Sequence, residues 1–473
     1  MPAGRAVWFD VTQRLAANGV AEPFLWLGDG VHDAAAKIAF PDADVVSFKA
    51  INFKRKVPAT AYNRQFAAFW TSATLHDARD HAIKMMDRSE RFGPTSGPER
   101  EAYFAELCFW AMERISTTKA QVLVMAENPH SAPSYILHAI ARFAGLKVLV
   151  FSSWPLAPIV TLRRSLTPPD LDIRTLNLTS EQDRAALLAN FEIFVTEYIA
   201  SFNDPQKYGF IPRYMQMQAG RDPLAGKMAQ LAKAIKSSVR LLKPRMAYAA
   251  IVKTRLHRAF LQRAETTIPD GPYVYFPLHY EPERTTNPDG GVFHDQLRVL
   301  SRLRALVPPS IAICVKEHPS QFNERLVGHQ GRSARFYDAV RAVSGLHLLA
   351  ETVPSSQLIL CAQAVATVTG TVALEAAVLG RPALVFGGAW FDGCPNVTRY
   401  TDDLDWDSFR NQSLETPEVI GDWLKAQLAA CGLPACVNPS NQKYFARYYQ
   451  HTTRAVREAP ILAEAIAAAL ALD

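Results

Sequence analysis

Several features that mark particular protein classes are missing from this chain of 473 residues. Its six cysteines include no CxxC pair, which argues against a disulfide framework or a zinc site and favours buried free thiols in a reducing compartment. The N-terminus has no apolar run long enough for a signal peptide, and no stretch approaches the ~20 apolar residues of a membrane-spanning helix. We therefore expect a cytoplasmic protein.

The charge balance is also unremarkable. Lys and Arg number 51 against 45 Asp and Glu, a net charge of +6, and an excess this small gives no reason to expect a nucleic-acid partner. Hydrophobic residues make up 49% of the chain and charged residues 20%, which excludes a disordered protein. At roughly 100 to 200 residues per domain, the length indicates two to four domains.

Apolar runs alternate with helical patterns along most of the chain. The clearest unit is 121–151, where QVLVMA reads as a buried strand, Ser131 and Pro133 open a helix, and Gly145 ends it before KVLVF. A strand, a helix and a strand in about thirty residues form a parallel crossover. Further strands are expected at Ala6–Phe9, Pro23–Leu27, Val45–Phe48, Tyr273–Leu278, Ile311–His318, Leu346–Leu349, Ala364–Thr369 and Pro382–Phe386.

This alternation predicts an α/β fold of two doubly wound, Rossmann-like domains that face a cleft, with a C-terminal helix. We expect an acceptor-side domain over 1–225, a helical connection over 226–268 and a nucleotide-binding domain over 269–473. The connection is rich in Lys and Arg between Lys227 and Arg263. Two interpretations stay open for it: a solvated linker face, or a patch that contacts an anionic inner-membrane surface.

The motif VKEHPS, at Val315–Ser320, ends one of the predicted strands. Side chains alternate along a strand, so Lys316 and His318 share one face. Pro319 keeps His318 on an extended backbone at the carboxyl end of the strand, where open parallel sheets bind ligands. An imidazole and an ammonium pointing together suit a phosphate or a nucleotide leaving group.

A second motif, TVTGTVALEAAVLG, spans Thr367–Gly380. Gly370 lets the backbone turn, and Thr371 opens a helix whose free N–H groups attract an anion. Thr369, Gly370 and Thr371 would hold a phosphate there, and Glu375, one turn deeper, would bind ribose hydroxyls. A well-capped core helix with an exposed Glu375 is the competing interpretation.

Two loops complete the candidate site. In YFPLHYEPERTTNPDGG the candidate nucleotide-binding residues are His279, Glu281, Glu283 and Arg284; Arg284 can clamp a phosphate, and either glutamate can orient a sugar hydroxyl or simply be solvated. In AENPHS, Glu127 and His130 are candidates for the general base that acts on an acceptor hydroxyl, although a capping role for this loop explains it equally well. LGDGVHDAA at Leu27–Ala35 lacks the third glycine of GxGxxG, so a dinucleotide site there is poorly supported.

The segments YFPLHYEPE, VKEHP and TVTGTVALEAAVLGRPALVFGGAW together resemble the bacterial capsule polysaccharide biosynthesis proteins, a group that includes Kdo-transferase-like glycosyltransferases of the GT-B fold. The resemblance covers roughly 273–390. It implies that His318 and the turn Thr369–Thr371 bind the phosphate of a nucleotide sugar and that Glu375 binds its ribose. It also implies a metal-independent site, in keeping with the lack of an Asp-x-Asp pair near a cleft strand.

The predicted function is transfer of a sugar from a CMP- or UDP-linked donor to a growing capsular or surface polysaccharide. The acceptor is expected to be a glycan or a glycolipid. No further cofactor is implied. A nucleotide-sugar 2-epimerase, a polyol-phosphate transferase and a catalytically inactive GT-B scaffold share the architecture and stay open as alternatives.

Overall fold

The computed structural model describes residues 6–28, 30–60, 64–90, 95–202, 244–282, 285–323, 326–435 and 451–472. Within these residues the α/β class predicted from sequence is confirmed. The basic stretch at 227–243 lies outside the described residues, as do Glu283 and Arg284. No helix in the described ranges is both long and apolar enough to cross a bilayer.

The first half places two small sheets among helices. Its strands are β1 (Leu25–Gly28), β2 (Asp44–Ser47), β3 (Val122–Met125), β4 (Lys147–Ser153) and β5 (Ile159–Arg163). Its helices are α1 (Ala6–Ala17), α2 (Asp33–Ala39), α3 (Phe48–Lys54), α4 (Ala73–Met86), α5 (Gly97–Thr118), α6 (Ala132–Phe143), α7 (Glu181–Ala189) and α8 (Glu192–Ala200), with 3-10 turns at Arg64–Thr71 and Ile173–Leu176.

The second half holds β6 (Tyr273–Pro277), β7 (Ala312–Lys316), β8 (Leu346–Leu349), β9 (Ala364–Thr367), β10 (Ala383–Val385) and β11 (Val397–Arg399). Its helices are α9 (Pro244–Leu261), α10 (Gln296–Leu306), α11 (Ala334–Ala342), α12 (Ser355–Cys361), α13 (Val372–Val378), α14 (Trp406–Arg410) and α15 (Pro417–Cys431), with 3-10 turns at Gly291–His294 and Gly328–Gln330. A short strand, β12 (Leu433–Pro434), and a long helix, α16 (His451–Ala471), follow.

The sheet of the second half is a doubly wound parallel sheet. Its strand order is β8–β7–β6–β9–β10–β11, and every neighbouring pair is parallel. In chain order this is 3-2-1-4-5-6, so the winding reverses between β6 and β9. Ligands of such sheets bind at the carboxyl ends of the strands beside that reversal. His279 follows β6 directly, and Gly370 follows β9.

The sheets of the first half are arranged differently from the continuous doubly wound sheet that the sequence predicts. The crossover β3–α6–β4 is parallel, as predicted, but β4 pairs antiparallel with β5 because only a short turn joins them. The strands β1 and β2 form a separate parallel pair. Residues Ala6–Phe9, predicted as a strand, form the first turns of α1, since the buried Trp8, Val11 and Leu15 recur with helical spacing.

The end of the chain returns to the first half. Strand β12 pairs with β5, and the apolar face of α16, including Leu462 and Ile466, packs in one core with Trp8 and Leu15 of α1. A further core joins the two halves: Trp154 and Val195 from the first half pack with Leu374 and Leu424 from the second. The two halves therefore share a buried boundary.

Candidate functional site

At the end of β7, successive polar side chains point to opposite faces of the sheet, as the alternation of a strand requires. Glu317 points into the core, where its Oε2 accepts hydrogen bonds from Tyr337 Oη at 2.8 Å and from Arg332 Nε at 3.2 Å. Lys316 points to the other face, and its Nζ donates to the carbonyl of Val353 at 2.5 Å and to Ser355 Oγ at 2.9 Å. Lys316 is buried, and burial lowers the pKa of its ammonium. Two of its three donors are thus engaged inside the protein.

His318 is the partly exposed member of this motif. Its Nδ1 accepts a hydrogen bond from the backbone N–H of Ser320 at 3.0 Å. Burial, with a smaller contribution from the Arg332 guanidinium, lowers the pKa of His318 to about 4, so the ring is neutral at neutral pH. A neutral ring that accepts at Nδ1 carries its proton on Nε2. His318 therefore presents an N–H donor.

His279, the first polar residue after β6, organises the turn after β9. Its Nε2 lies 2.9 Å from Thr367 Oγ1 and 3.4 Å from the backbone nitrogen of Thr369. The Thr367 hydroxyl also accepts the N–H of Gly370 at 3.3 Å, so it donates its own proton to His279. Burial lowers the pKa of His279 to about 3, and the field of His318 contributes in the same direction. The two imidazoles are thus neighbours, and His279 is a neutral acceptor that holds the turn.

The turn itself has one unused polar group. Thr369 is 6% exposed, and its Oγ1 has no hydrogen-bond partner within the described ranges. A buried hydroxyl without a partner is costly unless a ligand or water completes it. At Gly370 an added Cβ would lie 2.8 Å from Thr367 Oγ1 and 3.3 Å from the His279 ring. The contact with the Thr367 hydroxyl is too close for a Cβ, so glycine is the residue that fits this turn without a shift.

Glu375 is buried, unlike the exposed glutamate of the competing interpretation. It is 9% exposed on α13. Burial raises the pKa values of Tyr198 and Tyr275, and the charge of Glu375 contributes in the same direction. Tyr198 belongs to α8 of the first half, so Glu375 sits at the shared boundary beneath the turn. The hydroxyl of Tyr275 donates to Ser355 Oγ at 3.4 Å, which continues the polar chain to Lys316.

Ser355 has a different role from the helix cap that its place after Pro354 suggests. The N-cap of α12 is Pro354, and no side chain caps that helix. The hydroxyl of Ser355 instead serves Lys316 and Tyr275. Gly380, by contrast, ends α13 with φ +68°, as predicted for the residue after a helix.

The loop after β6 is fixed by buried hydrogen bonds and reaches the first half. Gln296 accepts the N–H of His279 at 2.8 Å and donates to Glu281 Oε1 at 2.9 Å. Glu281 is 1% exposed, and Lys84 of α4 approaches its carboxylate to 3.3 Å. A buried carboxylate needs such a cation. Glu281 is therefore a member of the boundary between the halves, and not a solvated loop residue.

The loop AENPHS of the first half lies against the same region. Arg88 donates to the carbonyl of His130 at 2.6 Å and to that of Asn287 at 2.7 Å, and Asn128 donates to Asp289 Oδ1 at 2.8 Å. Glu127 and His130 are half-buried beside these contacts. The structure thus brings the AENPHS loop to the loop after β6.

Sequence reasoning missed the cations that join the halves. Lys84 and Arg88 lie four residues apart, on one face of α4 and its C-terminal end. Nothing in the sequence distinguishes this pair from an ordinary solvated helix face. In the described parts of the chain, no group of three His, Cys, Asp or Glu side chains is placed to hold a metal ion.

Residues 241–430 match the model of the family described as capsule polysaccharide biosynthesis protein. The match confirms the family resemblance that the motifs carry, and it spans β6 to β11 and both candidate motifs of the second half. No curated protein matches the chain.

Several solved structures are similar at low identity. The β-Kdo 2,7-transferase KpsC of Thermosulfurimonas dismutans is 11% identical, with 66% of this chain and 78% of that one covered and a TM-score of 0.27. The UDP-GlcNAc 2-epimerase of Methanocaldococcus jannaschii is 12% identical, with 71% and 84% covered and a TM-score of 0.24. That of Neisseria meningitidis is 12% identical, with 83% and 96% covered and a TM-score of 0.20.

Proposed function

We propose that this protein is a metal-independent glycosyltransferase that moves a sugar from a nucleotide-activated donor to a growing capsular or other surface polysaccharide. The observation that carries the proposal is the pairing of a neutral His318, which presents an N–H donor, with a turn whose buried Thr369 hydroxyl has no partner in the described residues. Both follow carboxyl ends of strands of one parallel sheet: Thr369 follows β9 at the winding reversal, where a nucleotide phosphate is expected, and His318 follows β7, the strand next to β6. The family match over the same residues supports this assignment.

The chemistry follows from the state of the imidazole. When the bond from the anomeric carbon to the nucleotide breaks, negative charge develops on the leaving phosphate. A neutral N–H donor, fixed before the reaction, stabilises that charge without reorganising. His279 does not contact the nucleotide sugar in this scheme. It holds in place the turn Thr369–Thr371, which does. Glu375 is proposed to reach the ribose, and Lys316 to stabilise the wall of the site from inside.

The acceptor side is assigned to the first half. Glu127 and His130 are the candidates for the base that removes the proton from the acceptor hydroxyl. Arg88 fixes the loop that carries them against Asn287, so donor and acceptor sides are held in one geometry. The proposal includes a cytoplasmic location, with the basic segment 227–263 in contact with an anionic membrane surface.

Binding of nucleotides tests the proposal first. We expect CMP, UDP or one of their sugar conjugates to raise the melting temperature, since a ligand of the folded state alone stabilises it by RT ln(1 + [L]/Kd). GDP and dTDP serve as comparisons. A chain that binds none of them is a scaffold. If the bound nucleotide sugar is converted without any acceptor, the protein is an epimerase and the transferase assignment is wrong.

A further inference from the structure

The sheet of the first half has a gap where a central strand would lie. Within the described strands, β1 is hydrogen-bonded only to β2 on one side, and β3 only to β4. The gap between them is a cavity of about 330 Å³, lined by both free strand edges. Its volume is at the lower end of the ~300–1,000 Å³ typical of small-molecule sites. We call it the split-sheet cavity.

Helices cover the gap on both faces. Along β4, Leu149 and Phe151 pack with α1 and α16, whereas Val148 and Val150 pack with α5 and α6. The lining includes apolar residues from all four helices, among them Leu15, Leu137 and Leu470. The cavity therefore has the surroundings of a strand in the middle of an α/β sheet, and none of the described strands lies in it.

The cavity wall is apolar but carries unused donors. Trp8 and Trp26 line it, and each is 4% exposed. The indole N–H of Trp8 has no hydrogen-bond partner in the part of the chain that the structure describes, whereas that of Trp26 lies over Gly28 beside the Asp33 carboxylate. The free edges of β1 and β3 add backbone N–H groups. At the rim, Phe24 is 47% exposed and Val124, in the middle of β3, is 40% exposed. Exposed apolar residues that continue into an apolar cavity mark a binding site and not a solvated surface.

The charged residues of the lining are two cations and one carboxylate, Glu22. Arg114 and Lys119, at the C-terminal end of α5, belong to the lining. Lys119 is exposed, and Arg114 also forms an ion pair with Asp44 at 3.0 Å. An occupant that is apolar along most of its length and anionic at one end complements this distribution of groups. A peptide strand with side chains on both faces needs more room than 330 Å³, whereas one unbranched alkyl chain fits.

We propose that the split-sheet cavity binds one acyl chain of an anionic membrane phospholipid, with Arg114 and Lys119 at its phosphate and with ester oxygens accepting from the Trp8 indole and the strand-edge N–H groups. This site is separate from the nucleotide site and does not depend on the proposed transferase activity. It would hold the first half at a membrane surface through a bound lipid.

The test uses the two indoles as reporters of the occupant. Monomeric 12-bromododecyl phosphate is titrated into the full chain, and tryptophan fluorescence is compared with a titration of unbrominated dodecyl phosphate. We expect saturable quenching by the brominated probe, loss of most of it in the W8F/W26F double variant, and a roughly two- to fivefold weaker affinity in Lys119→Glu. Lys425→Glu, a charge reversal on the distant α15, is the matched control and should bind as the parent does.

A second arm distinguishes a membrane lipid from a free alkyl phosphate. Vesicles of phosphatidylglycerol with brominated acyl chains should quench the same two indoles, and phosphatidylcholine vesicles should do so less. The proposal is overturned if quenching does not saturate or survives unchanged in W8F/W26F. It is equally overturned if hydrogen exchange of the free protein shows the amides of both 25–28 and 122–125 protected on their facing edges, since β1 and β3 would then pair directly and leave no cavity.

Discussion

His279 Nε2 and Thr367 Oγ1 lie 2.9 Å apart, and this single hydrogen bond joins the strand on one side of the winding reversal to the turn on the other. The Thr367 hydroxyl accepts a hydrogen bond from the N–H of Gly370 and donates one to the His279 ring. The turn of the candidate phosphate site is therefore held from beneath by a neutral imidazole.

Replacing Thr367 by valine tests this support. The variant leaves the Gly370 N–H without its partner and leaves His279 Nε2 only the 3.4 Å contact with the Thr369 N–H. We therefore expect the free energy of unfolding to fall by about 1 to 3 kcal/mol. Nucleotide affinity should fall with it, because the turn loses its fixed shape. Thr161→Val is the matched control: Thr161 is fully buried in β5, and its hydroxyl has no partner in the described ranges. Chemical denaturation should show this control to be neutral or slightly stabilised.

Thr369→Val separates a binding role from a structural one. The Thr369 hydroxyl makes no hydrogen bond in the described structure, so its removal should leave the free energy of unfolding unchanged or slightly raised. If the hydroxyl binds the nucleotide phosphate, the variant should bind CMP or UDP roughly tenfold more weakly, as expected for one hydrogen bond to a charged group. Calorimetric titration measures the affinity. Equal affinity in variant and parent would remove Thr369 from the site.

The strands and the motifs at their ends could be predicted because they depend on local pattern. Leu346–Leu349 begins and ends where its pattern predicts a strand. His318 lies two residues beyond the end of β7, and Pro319 disfavours the helical region for it. Gly370 lies in a turn where a Cβ would overlap the Thr367 hydroxyl. These outcomes need only a few consecutive residues.

The boundary between the halves could not be predicted, because its partners are far apart in the chain. Lys84 meets Glu281 and Arg88 meets Asn287 across about two hundred residues. Likewise the alternation at β7 correctly placed Lys316 on the face opposite Glu317. It could not show that Val353 and Ser355 would accept hydrogen bonds from the Lys316 ammonium group. Side-chain direction was predictable, and the partner was not.

His318→Ala tests the leaving-group assignment. Loss of a fixed donor to the developing charge should lower transfer by ~10²-fold or more, with nucleotide affinity falling much less than turnover. The assay uses the nucleotide sugar that the binding screen identifies. His76→Ala, at an exposed histidine of α4, should keep parental turnover. Near-normal transfer by a well-folded His318→Ala would mean that a group other than His318 stabilises the charge on the leaving phosphate.

The same histidine makes stability depend on pH in a defined direction. The pKa of His318 is about 4 in the folded protein against 6.5 for an unperturbed histidine, so between these values the unfolded chain binds more protons. The neutral ring therefore makes its full contribution to the free energy of unfolding above pH 6.5. That contribution is lost as the pH falls towards 4, with a slope of up to ~1.4 kcal/mol per pH unit. His318→Asn should flatten the fall in unfolding free energy over that window, whereas His76→Asn should not. Denaturant titrations at half-unit intervals measure both slopes, and parallel curves for His318→Asn and the parent would show that the ring titrates normally in the folded state.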